Sequence, residues 1–453
     1  MPRSDRKRTD IMLFSKNQMR ALLVPLIIEQ VLTGLMGVAD TLMVSNVGEA
    51  AISGVSLVDS LNLLFVYFFS ALAAGGTIVC AQYIGRDDAA DAKQAAHQVM
   101  LASLALGAFF GALLMLIRRP ILQLIFGNVE ASVMDAAVVY LLITAASYPF
   151  LALYSSSAAL FRAVGDAKRP MLVAAAADVL NIAGNAVLIF VCGLGVAGAA
   201  LSTLASRIVS AAVMLYLQTK PGPVSLRGLR GLRPDFAMIR RILRVGLPNA
   251  VENGMFQFGR LVVQSTVSTL GTTAIAVQAI VVTLELFGSM PAQAVGTGLL
   301  TIAGQCIGAG KPDEARYYMR RLTRVSFWII LGGGVILCTA APLIMRLTAL
   351  TAEGGALACH ILWAVLTVKV LLWPKAFTLP NGMRAAGDVS YAMWVSTISM
   401  WVFRVAFSWF LCRFTGIGLW GVWIGWCTDW LVRNLCFRLR FRSGRWLDHS
   451  VLD

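Results

Sequence analysis

Apolar runs of about twenty residues or more, each long enough to cross about 30 Å of hydrocarbon as a helix, alternate with short polar stretches along the whole chain. They fall at about 21–45, 54–82, 96–117, 136–161, 171–192 and 196–217, then at about 246–270, 274–306, 325–347, 355–381, 390–412 and 417–437. The pattern predicts twelve transmembrane helices. It also repeats: at a constant shift of 223 residues Pro25 meets Pro248, Glu29 meets Glu252, Gly48 meets Gly271, Gly75 meets Gly298, Gln82 meets Gln305 and Gly85 meets Gly308. Gapless self-similarity of this length makes the chain two copies of one six-helix unit. Six is even, so both copies enter the membrane in the same sense, as parallel repeats about an axis along the membrane normal. The expected fold is an all-α polytopic membrane protein with two pseudo-symmetric six-helix lobes around a central cleft. Its divisions are 1–218 for the first lobe, 219–245 for a cytoplasmic linker ending in a short amphipathic helix, and 246–453 for the second lobe with a basic tail.

Composition agrees with a bilayer rather than a soluble globule: 58% of residues are hydrophobic, 13% are charged and the mean hydropathy is +0.75. A net charge of +15 would suggest a nucleic-acid surface in a soluble protein, but here its placement decides. Basic residues gather in alternate connections: Arg3 to Arg20, Arg86 and Lys93, Arg162 to Arg169, Lys220 to Arg244, Lys311 to Arg324, Arg384, and Arg433 to Arg445. The intervening connections hold only Arg118, Arg119, Arg346 and Arg413. By the positive-inside rule both termini and the linker are expected in the cytoplasm of a multi-pass plasma (inner) membrane protein. The first twenty residues are too polar, and the run after them too long, for a cleaved signal peptide. Eight scattered cysteines with no Cys-x-x-Cys pair imply neither disulfides nor structural zinc.

Several short motifs read as architecture. "GRDDAADAK" and "GAGKPDEAR" are expected to end a span on Gly85 and Gly308 and resume as charged helix starts. Gly195 and Gly198 correspond to Gly418 and Gly421, small residues expected to let helices approach closely. Function is expected at ionisable groups inside the spans, where a charge is costly and faces a cavity or a partner. These are Glu29, Asp40, Asp59 and Asp178 in the first half, and Glu252, Arg260, Glu285, Lys369, Lys375, Arg404 and Asp429 in the second. Asp429 precedes Arg433 by one helical turn and is expected to pair with it; Asp59 lies near a span end. Glu29 and Glu252 each follow a proline by four residues, which suggests either a backbone-satisfying role or, for Glu252, substrate or proton binding. Asp40 stands apart because its counterpart is Val263. Asp178, Asn181 and Asn185 share one helical face, and oxygens converging from two helices suit a small hard cation or a shared proton. Arg404 replaces Asn181 in the second half, where it is expected to stand in for a cation and pair with Glu252 or Glu285. Ion coupling is therefore assigned to the first lobe.

The spacing of Pro25, Asp40 and Gly48, "AQYIG" and "GQCIG" after the second and eighth spans, "LNIAGNAVLIF…GLGVAGAALST" and "GIGLWGVWIGWCTDWLVR" together resemble the multidrug and toxic compound extrusion (MATE) family over nearly the whole length. The resemblance implies export of amphipathic organic cations by alternating access, in antiport with sodium or protons and without a cofactor, by a monomer in the lipid bilayer. One branch of the family holds its cation with an Asp on the first helix, an Asn and an Asp on the fifth and a Thr on the sixth. These map onto Asp40, Asn181, Asn185 and Thr203, with a sodium ion at Asp40 and Asn181; Asn185 departs from the Asp, and Asp178 on the same face compensates. Another branch uses a Glu on the seventh helix and an Asp on the tenth, but here Glu252 sits about one turn early and the tenth span carries Lys369. Glu252, Glu285, Arg404 and Glu29 remain substrate or proton candidates. The main alternative is a flippase for a lipid-linked precursor, favoured by a basic cavity; a passive channel or receptor is a third class. An ATP-driven pump lacks its Gly-x-x-x-x-Gly-Lys-Ser/Thr loop.

Overall fold

The computed structural model describes residues 12–127, 129–226, 233–348, 350–449 and 451–452, so the basic residues before Met12 and the linker residues 227–232 lie outside the described part. The first half forms α1 (Lys16–Ser45), α2 (Glu49–Gly85), α3 (Ala89–Phe126), α4 (Ala131–Ala146), α5 (Tyr148–Ala163), α6 (Lys168–Val191) and α7 (Gly195–Gln218). The second forms α8 (Phe236–Ser268), α9 (Thr272–Gly308), α10 (Pro312–Leu347), α11 (Ala352–Ala385), α12 (Val389–Phe414) and α13 (Leu419–Ser443).

Nine of these helices pass a length-and-hydropathy test for crossing a membrane, and α4 with α5, bent by 46° at Ser147, makes a tenth span. The remaining two, α8 with 33 residues and α13 with 25, are long enough, at about 1.5 Å per residue, but carry more charge. In α13 the buried part of that charge, Asp429 and Arg433, is paired, as shown below. Twelve spans result, six per half. Their flanks are dressed for lipid: Leu116, Leu124, Val191 and Leu347 are each about 80% exposed.

The chain divides into two compact units, one of Lys16–Ala250 and one of Val251–Val451, which residues 12–15 join. In the first unit α3 lies against the α4–α5 break through Gly107 and Gly111. A Cβ on either would meet the carbonyl oxygen of Tyr148 or Ala145, at 2.9 and 2.8 Å, so the glycines permit the contact. Phe65 fills the space beside it, 4.9 Å from the Tyr148 ring and 5.3 Å from Phe110. In the second unit Trp423, Trp426 and Trp430 of α13 bury against Ile361, Leu362 and Val365 of α11.

Three local expectations need correction. Gly198 and Gly421 do pack closely, with a Cβ meeting Leu188 backbone at 2.9 Å or Leu411 Cβ at 3.0 Å, but Gly195 and Gly418 serve the backbone instead, with φ of +53° and +59°. The spans before "GRDDAADAK" and "GAGKPDEAR" do end at Gly85 and Gly308, yet the left-handed residues that close them are Asp87 (φ +61°) and Gly310 (φ +68°), at equivalent positions of the repeat. Among its described residues the linker has no separate amphipathic helix: α8 starts at Phe236, capped by Asp235 Oδ1 accepting from Ala237 and Met238 N–H at 2.9 and 3.1 Å, and runs unbroken through Pro248 into the seventh span.

Candidate functional site

Glu29 and Glu252, one turn beyond their prolines, face a basic residue of their own half. Arg162, from "RAVGD", pairs with Glu29, and Arg384, from "RAAGD", meets both oxygens of Glu252 at 2.7 Å. The duplicated pair ties the first span of each half to its fourth. This occupies both carboxylates and replaces the expected backbone-satisfying role. Glu252→Gln is expected to cost about 2 kcal/mol of stability, read as a lower unfolding midpoint in detergent, while leaving the ion dependence of transport unchanged.

The other charges buried in the second half are also paired. Lys369, with no exposed surface, donates to Glu285 Oε1 at 2.5 Å and to the Glu285 carbonyl at 2.8 Å. Asp429 receives Arg433 at 2.7 Å, the expected one-turn pair, and also Arg404 at 2.8 Å. Arg404 therefore pairs with Asp429 rather than with Glu252 or Glu285, because α12 and α13 bring those two side chains together and stack the guanidinium on Trp426, 4.4 Å from the ring centroid. Of the basic residues considered for an electropositive cavity, Lys369 and Arg404 are thus neutralised, leaving Arg260 and Lys375 without an ion-pair partner among the described residues.

The first half is built differently. Asp40 of α1 accepts from Asn185 Nδ2 of α6 at 2.7 Å. One turn back on α6, Asn181 reaches Asp40 at 2.9 Å with its amide turned so that the oxygen takes the Thr203 N–H at 3.2 Å, the orientation that satisfies both its atoms. Thr203 of α7 lies 3.3 Å from the same amide, and Ser202 donates to the Asn181 carbonyl at 2.7 Å. The structure therefore brings Asp40, Asn181, Asn185 and Thr203 into one polar group across three helices. A π-helical turn follows Asn185 directly, with Cys192 N–H bonded to the Val187 carbonyl five residues back at 2.9 Å.

Two oxygens around this group lack hydrogen-bond partners although buried: Asn185 Oδ1 and Asp178 Oδ2. Asp178 and Asp59 lie within electrostatic reach of Asp40. Among the described residues none of these three carboxylates has a basic group within 4 Å, whereas Glu29, Glu252, Glu285 and Asp429 all do. Like-charged carboxylates set near one another in a poor dielectric, with no basic group in contact, raise the cost of the charged state.

The reading of spans by charge passed over Arg207, in "STLASRIVS" of α7. It donates to Ser147 Oγ, at the α4–α5 break, at 2.6 Å. Around it Tyr148 OH donates to Asn62 Oδ1 at 2.8 Å and Asn62 Nδ2 contacts Asp59 Oδ1 at 3.4 Å. A lone arginine in an apolar run was the signal.

Two internally repeated six-helix bundles, one of them holding buried carboxylates without basic partners among the described residues, are the architecture of a multi-pass membrane transporter. The MatE family model matches residues 25–187 and 248–410, once in each half, with both ends displaced by the repeat shift. The chain belongs to the MatE family of transporters. It is 27% identical over 441 residues to the uncharacterized transporter YisQ of Bacillus subtilis (94% of each chain), and 27% identical over 449 residues to the probable multidrug resistance protein NorM of Thermotoga maritima (96% of this chain, 94% of that one). Among solved structures, an outward-facing multidrug resistance MATE transporter of the MOP superfamily superposes with a TM-score of 0.88 at 22% identity, covering 94% of this chain and 96% of its own.

Proposed function

We propose that this transporter exports amphipathic organic cations in exchange for sodium ions or protons, and that the exchange is coupled at Asp40. One observation carries the reading: the buried second-half acids Glu252, Glu285 and Asp429 are neutralised by neighbours, while Asp40, Asp59 and Asp178 are not. An unpaired carboxylate at membrane depth is costly, and a cation taken from solution removes the cost. Asn185 suits either ion. Turning its amide about the last torsion exchanges the N–H donated to Asp40 for the orphaned oxygen, which ligates a sodium ion or accepts the Asp40 O–H. Asn181 and Thr203 supply further oxygens, and Asp178 the second charge. Neutralising Asp40 loosens its bond from α1 to α6, and Pro25, inside α1, is where that helix bends in response.

The test is uptake and efflux of a fluorescent organic cation such as ethidium in proteoliposomes under an imposed sodium or proton gradient. Transport against the ethidium gradient under one of the two is expected, and the effective gradient names the ion. Flux only down the ethidium gradient contradicts exchange, and absence of flux points to the lipid-linked alternative.

The orientation, with both termini cytoplasmic, is tested by Cys192, exposed in the connection between α6 and α7. With the other cysteines replaced by serine, a membrane-impermeant maleimide is expected to label it in intact cells. Labelling only after lysis reverses the topology.

A further inference from the structure

Of the basic residues set well inside the spans of the first half, Arg207 is peculiar in its partner. Its Nη1 is held by the Ser147 hydroxyl at 2.6 Å, and Ser147 Oγ in turn donates to the Thr144 carbonyl at 2.5 Å. A neutral hydroxyl is a poor recompense for a guanidinium taken from water. In the second half Arg404 and Arg433 share Asp429 and Arg384 grips Glu252. Arg207 has no carboxylate within 4 Å among the described residues, yet Asp59 and Asp40 are both in its electrostatic field, and Tyr148 and Tyr140 face it from α5 and α4.

Its register adds to this. Arg207 follows Thr203 by four residues on α7, so it projects from the same helical face one turn further on, beside the Asp40, Asn181 and Thr203 group and not in it. The Ser147 tether fixes the guanidinium at the 46° bend between α4 and α5. The cluster thus sets Asp40 and Asp59, with Asp178 beside Asp40, against a guanidinium that is held short of all three.

We propose that Arg207 is the resident counter-charge of the Asp40 and Asp59 carboxylates, held back by Ser147 so that it competes with, and helps to expel, the incoming small cation. The inference rests on coupling at Asp40. With the site empty, the guanidinium offsets part of the carboxylates' mutual repulsion. With a cation bound, Arg207 repels it, lowering its affinity and hastening its release. An ion-driven exporter needs both: a cation bound too tightly stalls the cycle at the loaded state. Arg207 is a positioning residue that acts through the carboxylates and does not itself ligate.

The experiment measures ethidium export in proteoliposomes against sodium or proton concentration for wild type, Arg207→Gln, Arg207→Lys, Ser147→Ala and Asp40→Asn. Removing one fixed charge near a carboxylate is expected to lower the half-saturating cation concentration about tenfold in Arg207→Gln, with a reduced maximal rate. Arg207→Lys keeps the charge and is expected to stay near wild type. Ser147→Ala releases the guanidinium toward the acids, and its half-saturating concentration is expected to rise. A lower maximal rate in Arg207→Gln with an unchanged half-saturating concentration means that Arg207 only packs, and overturns the proposal. Should Arg207→Gln fail to elute as a monodisperse protein, Ser147→Ala decides alone: an increase supports the proposal and no change overturns it. If Asp40→Asn keeps its cation dependence, coupling at Asp40 itself fails; if that dependence is lost while Arg207→Gln is unaltered, only the role of Arg207 falls.

Discussion

Asp40→Asn is expected to reduce gradient-driven export to the level of protein-free liposomes while leaving the unfolding midpoint close to that of wild type. The two halves of this expectation have different origins. Transport is lost because the substitution removes the one carboxylate that Asn185 and, with its amide turned, Asn181 both reach, at 2.7 and 2.9 Å, and with it the charge that draws a cation into the group. Stability is kept because no basic group lies within 4 Å of Asp40 among the described residues, and Arg207, tethered to Ser147, still has Asp59 in its electrostatic field. An amide of nearly the same shape can still accept from Asn185 through its oxygen. Ethidium efflux with an imposed gradient, alongside thermal unfolding of the same preparation, reads both. A variant that still concentrates ethidium places coupling elsewhere.

Asp429→Asn is expected to behave in the opposite way, with a large loss of stability. Asp429 has no exposed surface and holds Arg433 at 2.7 Å and Arg404 at 2.8 Å, with its carboxylate also accepting from Ser399 at 2.7 Å. Neutralising it leaves two guanidinium groups facing one another in the core of the second unit. Stranding a buried charge costs about 3–5 kcal/mol, and here two are stranded at once. The Arg404 stack on Trp426 and the Arg433 bond to the Ser396 carbonyl at 2.8 Å recover part of this. A pronounced drop in the unfolding midpoint in detergent, or failure to recover folded protein, is the expected result; an unchanged midpoint would mean that Arg404 and Arg433 find other partners. Asp40→Asn and Asp429→Asn thus separate a carboxylate kept for its ligand from one kept for its neighbours.

How much of this was legible beforehand depends on whether a feature is local. All twelve spans were, because a hydrophobic stretch of the right length and a repeat shift of 223 residues are properties of the chain itself. The helices nonetheless run past the apolar stretches: α3 begins at Ala89 and α8 at Phe236, since charged turns at the membrane surface remain helical once capped. The one-turn pair of Asp429 with Arg433 was legible for the same reason. The Arg404 partner was not, because choosing among Glu252, Glu285 and Asp429 requires knowing how α12 is rotated against α13. Asp40 was legible through its missing counterpart, Val263, and Asn181 and Asn185 through their shared face on α6. Arg207, a lone basic residue in the apolar run of α7, was equally there to be read. Its meaning lies in Ser147, sixty residues away in sequence and brought near by the α4–α5 bend.

The central claim is that organic substrate and coupling cation displace one another through Asp40. The most direct measurement is the sodium ions or protons released when ethidium is added in excess to purified transporter in weakly buffered detergent solution, recorded with an ion-selective electrode or a pH indicator. Wild type is expected to release the coupling cation on substrate addition, and Asp40→Asn to release none. Equal release from both proteins would contradict the assignment of coupling to Asp40.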